Sequence, residues 1–320
     1  MKNYNNVNVL CFGGGTGMPS LLSGLKPNPW LNMTAVVNMF DTGGSSGELK
    51  DQFGILPIGD VLKCILAFAK DEAHARKILL KRIQNDKSSI HTAGNVLLMG
   101  FEKVYEDFLL SIDALGQILE TTGEVLPVTM EHSTLVANCT GGSILTGETS
   151  VDIGIYEGLH IDSLCLEPPV STHARVLEAI FEADVICIGP GSFYTSVLPN
   201  FLPTGVKEAI ATSKAKIIFI ANLLTEGWGM KNFDLNHVVT TLESYIGRKT
   251  DIVIANSKLP SKKVLDKYLD ERKSPLKLGV IENINDRLII AALWQDPDIA
   301  RHDRDMLGYL VSNTIAMLTN

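Results

Sequence analysis

Five short runs of almost unbroken apolar residues constrain this chain most: VNVLCF (7–12), TAVVNMF (34–40), VICIG (185–189), KIIFIAN (216–222) and DIVIAN (251–256). Each has the length of a strand and shows no polar alternation, so both of its faces must be covered. Segments with helical periodicity separate them: MPSLLSGL, DVLKCILAFAK (60–70), EAHARKILLKRIQ (72–84), GNVLLMGFEKVYEDF (94–108), SIDALGQILET (111–121), ARVLEAIFEA, VKEAIATS, DLNHVVTTLESYIG and, near the end, MLGYLVSNTIAML. Buried strands alternating with helices predict an α/β, Rossmann-like fold, a mainly parallel sheet with helices on both faces. Between about 123 and 170 the pattern changes to short runs punctuated by glycine and polar residues: EVLPVTM, STLVANCT, SILTGET, VDIGIYE and DSLCLEP. These predict strands of a β-rich, antiparallel insertion. With no repeat or linker in view, residues 1–320 are expected to form a single domain.

Bulk properties exclude several classes. The 28 Lys+Arg stand against 36 Asp+Glu, a formal net charge of −8, and no basic stripe offsets it. Nucleic acid is therefore not an expected partner. No apolar run approaches the ~18 residues of a membrane span and no signal peptide precedes the first strand, so the expected compartment is the cytoplasm. Five scattered cysteines, none in C-x-x-C spacing, predict neither disulfides nor zinc. His74, His132, His160, His173, His237 and His302 show no metal-binding spacing and are expected to be surface or packing residues. There is no G-x-S-x-G nucleophile elbow.

In an open parallel sheet, ligands bind beyond the carboxyl ends of the strands. The first strand here runs into Gly13-Gly14-Gly15-Thr16-Gly17, and the second into Asp41-Thr42-Gly43-Gly44-Ser45-Ser46-Gly47. VICIG, which ends at Gly189, leads into Pro190-Gly191-Ser192-Phe193-Tyr194-Thr195-Ser196, and KIIFIA into Asn222 and Thr225. GGGTG is either a tight strand-to-helix turn or a phosphate cradle of backbone N–H groups with the Thr16 hydroxyl. It is not a complete G-x-G-x-x-G, because Met18 stands at the third glycine, and not a P-loop. Asp41 favours the cradle, since it occupies the strand end where Rossmann proteins bind a ribose hydroxyl. DTGGSSG reads as a loop wrapping phosphate or sugar, with a flexible turn as the alternative. Asp60 reads either as a helix N-cap or as an acid facing the same cleft. His91 and Asn95 flank a small-residue turn before a helix and join the candidates, while GPGSFYTS offers N–H groups and four hydroxyls to a phosphate. Asp41 and Asp60, with ligand phosphates, could hold Mg²⁺.

In this order GGGTG, DTGGSSGEL, ILPIGD, His-x-x-x-Asn, EVLPVT, GPGSFYTSVLPN and DIVIAN resemble the CofD/YvcK superfamily across about residues 7 to 256. The resemblance implies a dimeric Rossmann-like protein with a nucleotide-type ligand at Gly14–Gly17, Asp41–Ser46, Gly189, Gly191, Ser192, Tyr194, Thr195, Asn222 and Thr225. It also implies one of two activities. YvcK-like gluconeogenesis factors are non-catalytic regulators of carbon metabolism and cell shape that bind UDP-sugars. CofD-like enzymes are Mg²⁺-dependent 2-phospho-L-lactate transferases, for which Asp41 and Asp60 would be the catalytic carboxylates. Neither branch implies a flavin or nicotinamide as redox carrier. The motif wording is closer to the YvcK branch. Thr42 stands where that branch usually has a second aspartate, and of its N-x-M-T-Q segment only Asn222 and Thr225 remain.

Overall fold

The computed structural model describes residues 6–43, 56–84, 90–281 and 283–319. Gly44, Ser45 and Ser46 lie outside the described residues. The chain opens with a βαβ unit, β1 (Val7–Gly13), α1 (Gly17–Leu25) and β2 (Leu31–Val37). Helices α2 (Gly59–Phe68) and α3 (Glu72–Leu79) follow. A small hairpin of β3 (Arg82–Gln84) and β4 (Ile90–Thr92) leads to α4 (Ala93–Tyr105) and α5 (Phe108–Ile118). The chain then returns to the main sheet as β5 (Glu124–Pro127). Next come β6 (Thr134–Cys139), β7 (Ile144–Thr146), α6 (Glu148–Glu157) and β8 (Ile161–Glu167). The second half alternates α7 (Ala174–Glu182), β9 (Val185–Ile188), α8 (Val206–Thr212), β10 (Lys216–Ile220), α9 (Leu235–Ile246) and β11 (Ile252–Asn256). It closes with α10 (Lys262–Asp266), β12 (Leu288–Ala291) and α11 (Arg304–Thr319).

The main sheet has the order β12-β11-β10-β9-β1-β2-β5, and every neighbouring pair in it is parallel. All four residues of β9 and four of the five in β10 are buried, which is why these runs carry no polar alternation. From β1 the chain winds outward through β2 to β5, then restarts at β9 on the other side of β1 and winds the opposite way. The switch point between β1 and β9 opens a crevice at the carboxyl ends of those two strands. α1 and α11 cover one face in close contact. A Cβ built on Gly308 would lie 2.2 Å from the Gly24 carbonyl oxygen, so these helices cross backbone to backbone.

Three expectations are corrected. EVLP is not part of an antiparallel patch; it is the parallel edge strand beside β2, with Val125 against Ala35. The antiparallel sheet in this region is formed, among the described residues, by β7, β6 and β8 in that order. VDIGIYE is helix, not strand, because Val151, Gly154 and Ile155 are its buried positions, at helical spacing. Helix α3 ends at Leu79 rather than at 84. Arg82–Gln84 instead pairs antiparallel with Ile90–Thr92, and the Lys81 carbonyl accepts from the Ala93 N–H at 3.0 Å. β12, absent from the expected strands, pairs with β11 and completes the sheet.

Candidate functional site

The loop after β1 is shaped by its glycines and by one carboxylate. Gly15 has φ +63°, a left-handed conformation that side chains rarely adopt. Its N–H donates to Asp60 Oδ2, while Lys63 Nζ donates to Asp60 Oδ1 at 2.8 Å. Asp60 is therefore not the helix cap, a position held by Ile58; it stands in the first turn of α2 and ties the glycine loop to that helix. Burial works against the Lys63 charge, but Asp60 beside it raises the lysine pKa above its ordinary value. A Cβ on Gly17 would come within 2.3 Å of the Pro190 carbonyl oxygen, so the loops after β1 and β9 touch across the crevice. Thr16, at the N-cap of α1, makes no capping bond and presents its exposed side chain to the crevice.

The loop after β9 spends its polar groups on itself. The Asn222 side chain donates to the Gly191 carbonyl at 2.7 Å and accepts from the Gly191 N–H at 3.2 Å, clamping the turn. The Glu226 carboxylate accepts from the Phe193 N–H, from the Tyr194 N–H at 3.4 Å and from Asn222 Nδ2 at 3.2 Å. Ser192 Oγ and Thr195 Oγ1 lie 2.6 Å apart, and Thr195 Oγ1 donates to Asp152 Oδ1 at 3.1 Å. Tyr194 is buried, which pushes its hydroxyl pKa up. Thr225 bonds to Ser274 through both backbone and hydroxyl, holding the neighbouring Lys273 against the crevice.

These loops form one wall of a cleft of about 650 Å³. Gly15, Thr16, Gly17, Gly191, Ser192 and Ser196 line that wall, and Asn222, Thr225 and Glu226 the floor beside it. The opposite side comes from α6 through Asp152 and Tyr156, from the segment after α10 through Tyr268, Glu271 and Lys273, and from the segment before α11 through Arg301 and His302. Removal from water pushes the Glu226 carboxyl up to about 7, against the pull of the Phe193 N–H. His302 is buried, its Nε2 has no hydrogen-bond partner among the described residues, and burial lowers its pKa to about 4. Asp152, Glu226, Lys273 and Arg301 were not among the residues singled out from the sequence, and His302, expected to be a surface or packing residue, is buried in the lining. For Glu226 the signal was there, next to Thr225; the segments carrying Lys273 and His302 have no pattern to read.

The remaining candidates stand apart from this lining. Asp41 Oδ1 accepts from the Gly43 N–H at 2.7 Å, and the Thr42 N–H donates to Glu148 Oε2 at 3.1 Å. Burial and the adjacent Asp41 carboxylate push the Glu148 carboxyl up to about 9. Gly14 packs beside Asp60 and Asn38, and buried Gly189 lies behind the Pro190 turn. His91 lies on β4 and Asn95 in the first turn of α4, where its N–H is capped by Thr92 Oγ1 at 3.2 Å; neither lines the cleft. Among the described residues no group of three or more His, Cys, Asp or Glu side chains could hold a metal ion. Asp60 fits a metal poorly, with both oxygens engaged and an ammonium in contact. Asp41 with Glu148 is the carboxylate pair that a divalent ion could meet.

The sequence pattern of the family described as 2-phospho-L-lactate transferase CofD matches residues 9–293. A relative from Thermotoga maritima is 37% identical over 281 residues, covering 88% of each chain. A protein named gluconeogenesis factor from Halalkalibacterium halodurans is 34% identical over 306 residues, 92% of each chain. A crystal structure from Bacillus halodurans, described as a member of the UPF0052 family, superposes with a TM-score of 0.90 at 32% identity, covering 96% of this chain and 99% of that one. With the seven-stranded parallel sheet and the crevice at its switch point, these matches make the chain a member of the CofD family, on the branch whose relatives are named gluconeogenesis factors.

Proposed function

We propose that this protein binds a UDP-sugar in the cleft at the β1/β9 switch point and acts as a regulator of carbon metabolism and cell shape. The observation that carries the reading is the cleft itself. It has a volume in the range of small-molecule sites, lies at the position where open α/β sheets bind nucleotides, and combines the N-terminus of α1 with the cations Lys273 and Arg301. A diphosphate needs both kinds of donor, N–H groups that point and cations that neutralise. The aromatic rings of Tyr156 and Tyr268 line the same cleft and offer surfaces for a base or sugar. Titration calorimetry with UDP-N-acetylglucosamine, UDP and GDP tests the reading. Saturable binding of the UDP compounds is expected, and failure of every nucleotide to bind would sink it.

One observation favours a second reading, a Mg²⁺-dependent transferase of phospholactyl type acting on a nucleotide diphosphate donor. The Asp41–Glu148 carboxyls face each other at the end of β2 and could hold a cation that neutralises phosphate charge. This chain's own part in such a reaction would be to align the acceptor hydroxyl and the diphosphate. Incubation with nucleotide diphosphate donors, Mg²⁺ and hydroxyl acceptors distinguishes the two readings. Released nucleotide supports transfer, and its absence beside tight binding supports the regulator. The homodimer belongs to the same proposal, and sedimentation of the purified chain tests it.

A further inference from the structure

The loop after β9 carries backbone donors suited to an anion, yet an internal anion already occupies them. Glu226 Oε1 accepts from Phe193 N–H and from Asn222 Nδ2, while among the described residues Oε2 is held only by the 3.4 Å contact with Tyr194 N–H. One oxygen is anchored and the other is loosely held at the cleft. A phosphorylated ligand entering there brings negative charge against a partly buried carboxylate, which is strongly unfavourable. Protonation removes that repulsion and converts Oε2 from an acceptor into an O–H donor.

We propose that Glu226 couples ligand binding to proton uptake: the cleft takes its anionic ligand with Glu226 as the neutral acid, Oε1 still accepting from Phe193 N–H and the Oε2 hydroxyl donated to an oxygen of the ligand. This deepens the nucleotide reading and rests on it. The balance is one proton taken from solvent for each ligand bound at a pH where the empty site is ionised. The charged and titratable groups that line the cleft with Glu226 or act on it are consistent with such poise. Asp152 on α6 and Glu271 after α10 add negative charge, Lys273 and Arg301 oppose it, and the Tyr194 hydroxyl and His302 remain neutral near pH 7. The Glu226 pKa of about 7 places the transition within the physiological range.

The test is calorimetry of the whole chain with UDP-N-acetylglucosamine, whose diphosphate has no ionisation of its own near neutral pH. Titrations at one pH in buffers of different ionisation enthalpy count protons directly and need no variant. Uptake of about half a proton at pH 7, rising toward one at pH 8, is expected, with affinity falling about tenfold per pH unit above that. Glu226→Gln, isosteric with the neutral acid, is expected to bind without proton uptake and with pH-independent affinity, and Asp152→Asn to keep the wild-type slope. Binding without proton uptake overturns the proposal and leaves the nucleotide reading standing. A slope that survives in E226Q, or disappears in D152N instead, also overturns it. Absence of binding by wild type and E226Q at every pH removes the nucleotide reading and this proposal together. Binding by E226Q alone at high pH supports the proposal.

Discussion

At Gly17 a single hydrogen in place of a methyl group decides whether the crevice exists. The Pro190 carbonyl oxygen would stand 2.3 Å from a Cβ at that position, so Gly17→Ala must push the loops after β1 and β9 apart. Overpacking of this kind costs about 1–3 kcal/mol. Urea unfolding should show that loss, and calorimetry should show nucleotide binding weakened beyond tenfold. His302 makes a second residue-scale prediction. Burial holds its pKa at about 4, below the 6.5 of a free histidine, so the unfolded chain binds more protons between those values. Its contribution to stability is therefore complete above pH 6.5 and lost as pH falls toward 4, by roughly 3 kcal/mol. Thermal melts of His302→Gln against wild type should diverge at neutral pH and converge in acid; parallel acid limbs would refute the assignment. Asp60 shows how one residue can admit two local readings. Its place near a helix start allowed a cap or an acid facing the cleft; it is not the cap, and it holds Gly15 N–H and Lys63.

Elements were legible in proportion to how completely they are buried. β9, β10 and β11 are apolar on both faces, so runs as short as VICIG, KIIFIAN and DIVIAN suffice to identify them. β12 is only half-buried, and its residues carry no such signature. Short segments fail differently. VDIGIYE alternates apolar and polar letters as a strand would, but α6 buries Val151 and Ile155 on one side and leaves Ile153 and Tyr156 exposed. That misreading hid the cleft wall bearing Asp152. The α1–α11 crossing supplies the prediction at this scale. Gly308→Ala places a methyl group 2.2 Å from the Gly24 carbonyl oxygen, on the helix pair rather than in the cleft lining. A loss of about 1–3 kcal/mol in urea, with ligand affinity unchanged within twofold, is expected. A large loss of affinity at equal folded fraction would show that the helix pair controls the cleft.

For the molecule as a whole, the switch point turns a chain of separate motifs into one site. A ligand that spans loops after β1, β9 and β10 and the segments before and after β12 joins parts distant in sequence, so binding must stabilise the folded state. At one hundred times the dissociation constant, UDP-N-acetylglucosamine should add about 2.7 kcal/mol, seen as a rise in melting temperature that grows with ligand concentration. A melting temperature unmoved at saturating ligand would contradict binding to the native fold. The sequence by itself determined the parallel sheet and the glycine-rich turns at its carboxyl edge, because apolar continuity and backbone freedom are local properties written in adjacent residues. Only the tertiary structure decided the chemistry of the cleft. Asp152, Glu226, Lys273 and the Arg301-His302 pair come from four separate parts of the chain, and charge, desolvation and hydrogen bonding arise from which of them are brought together.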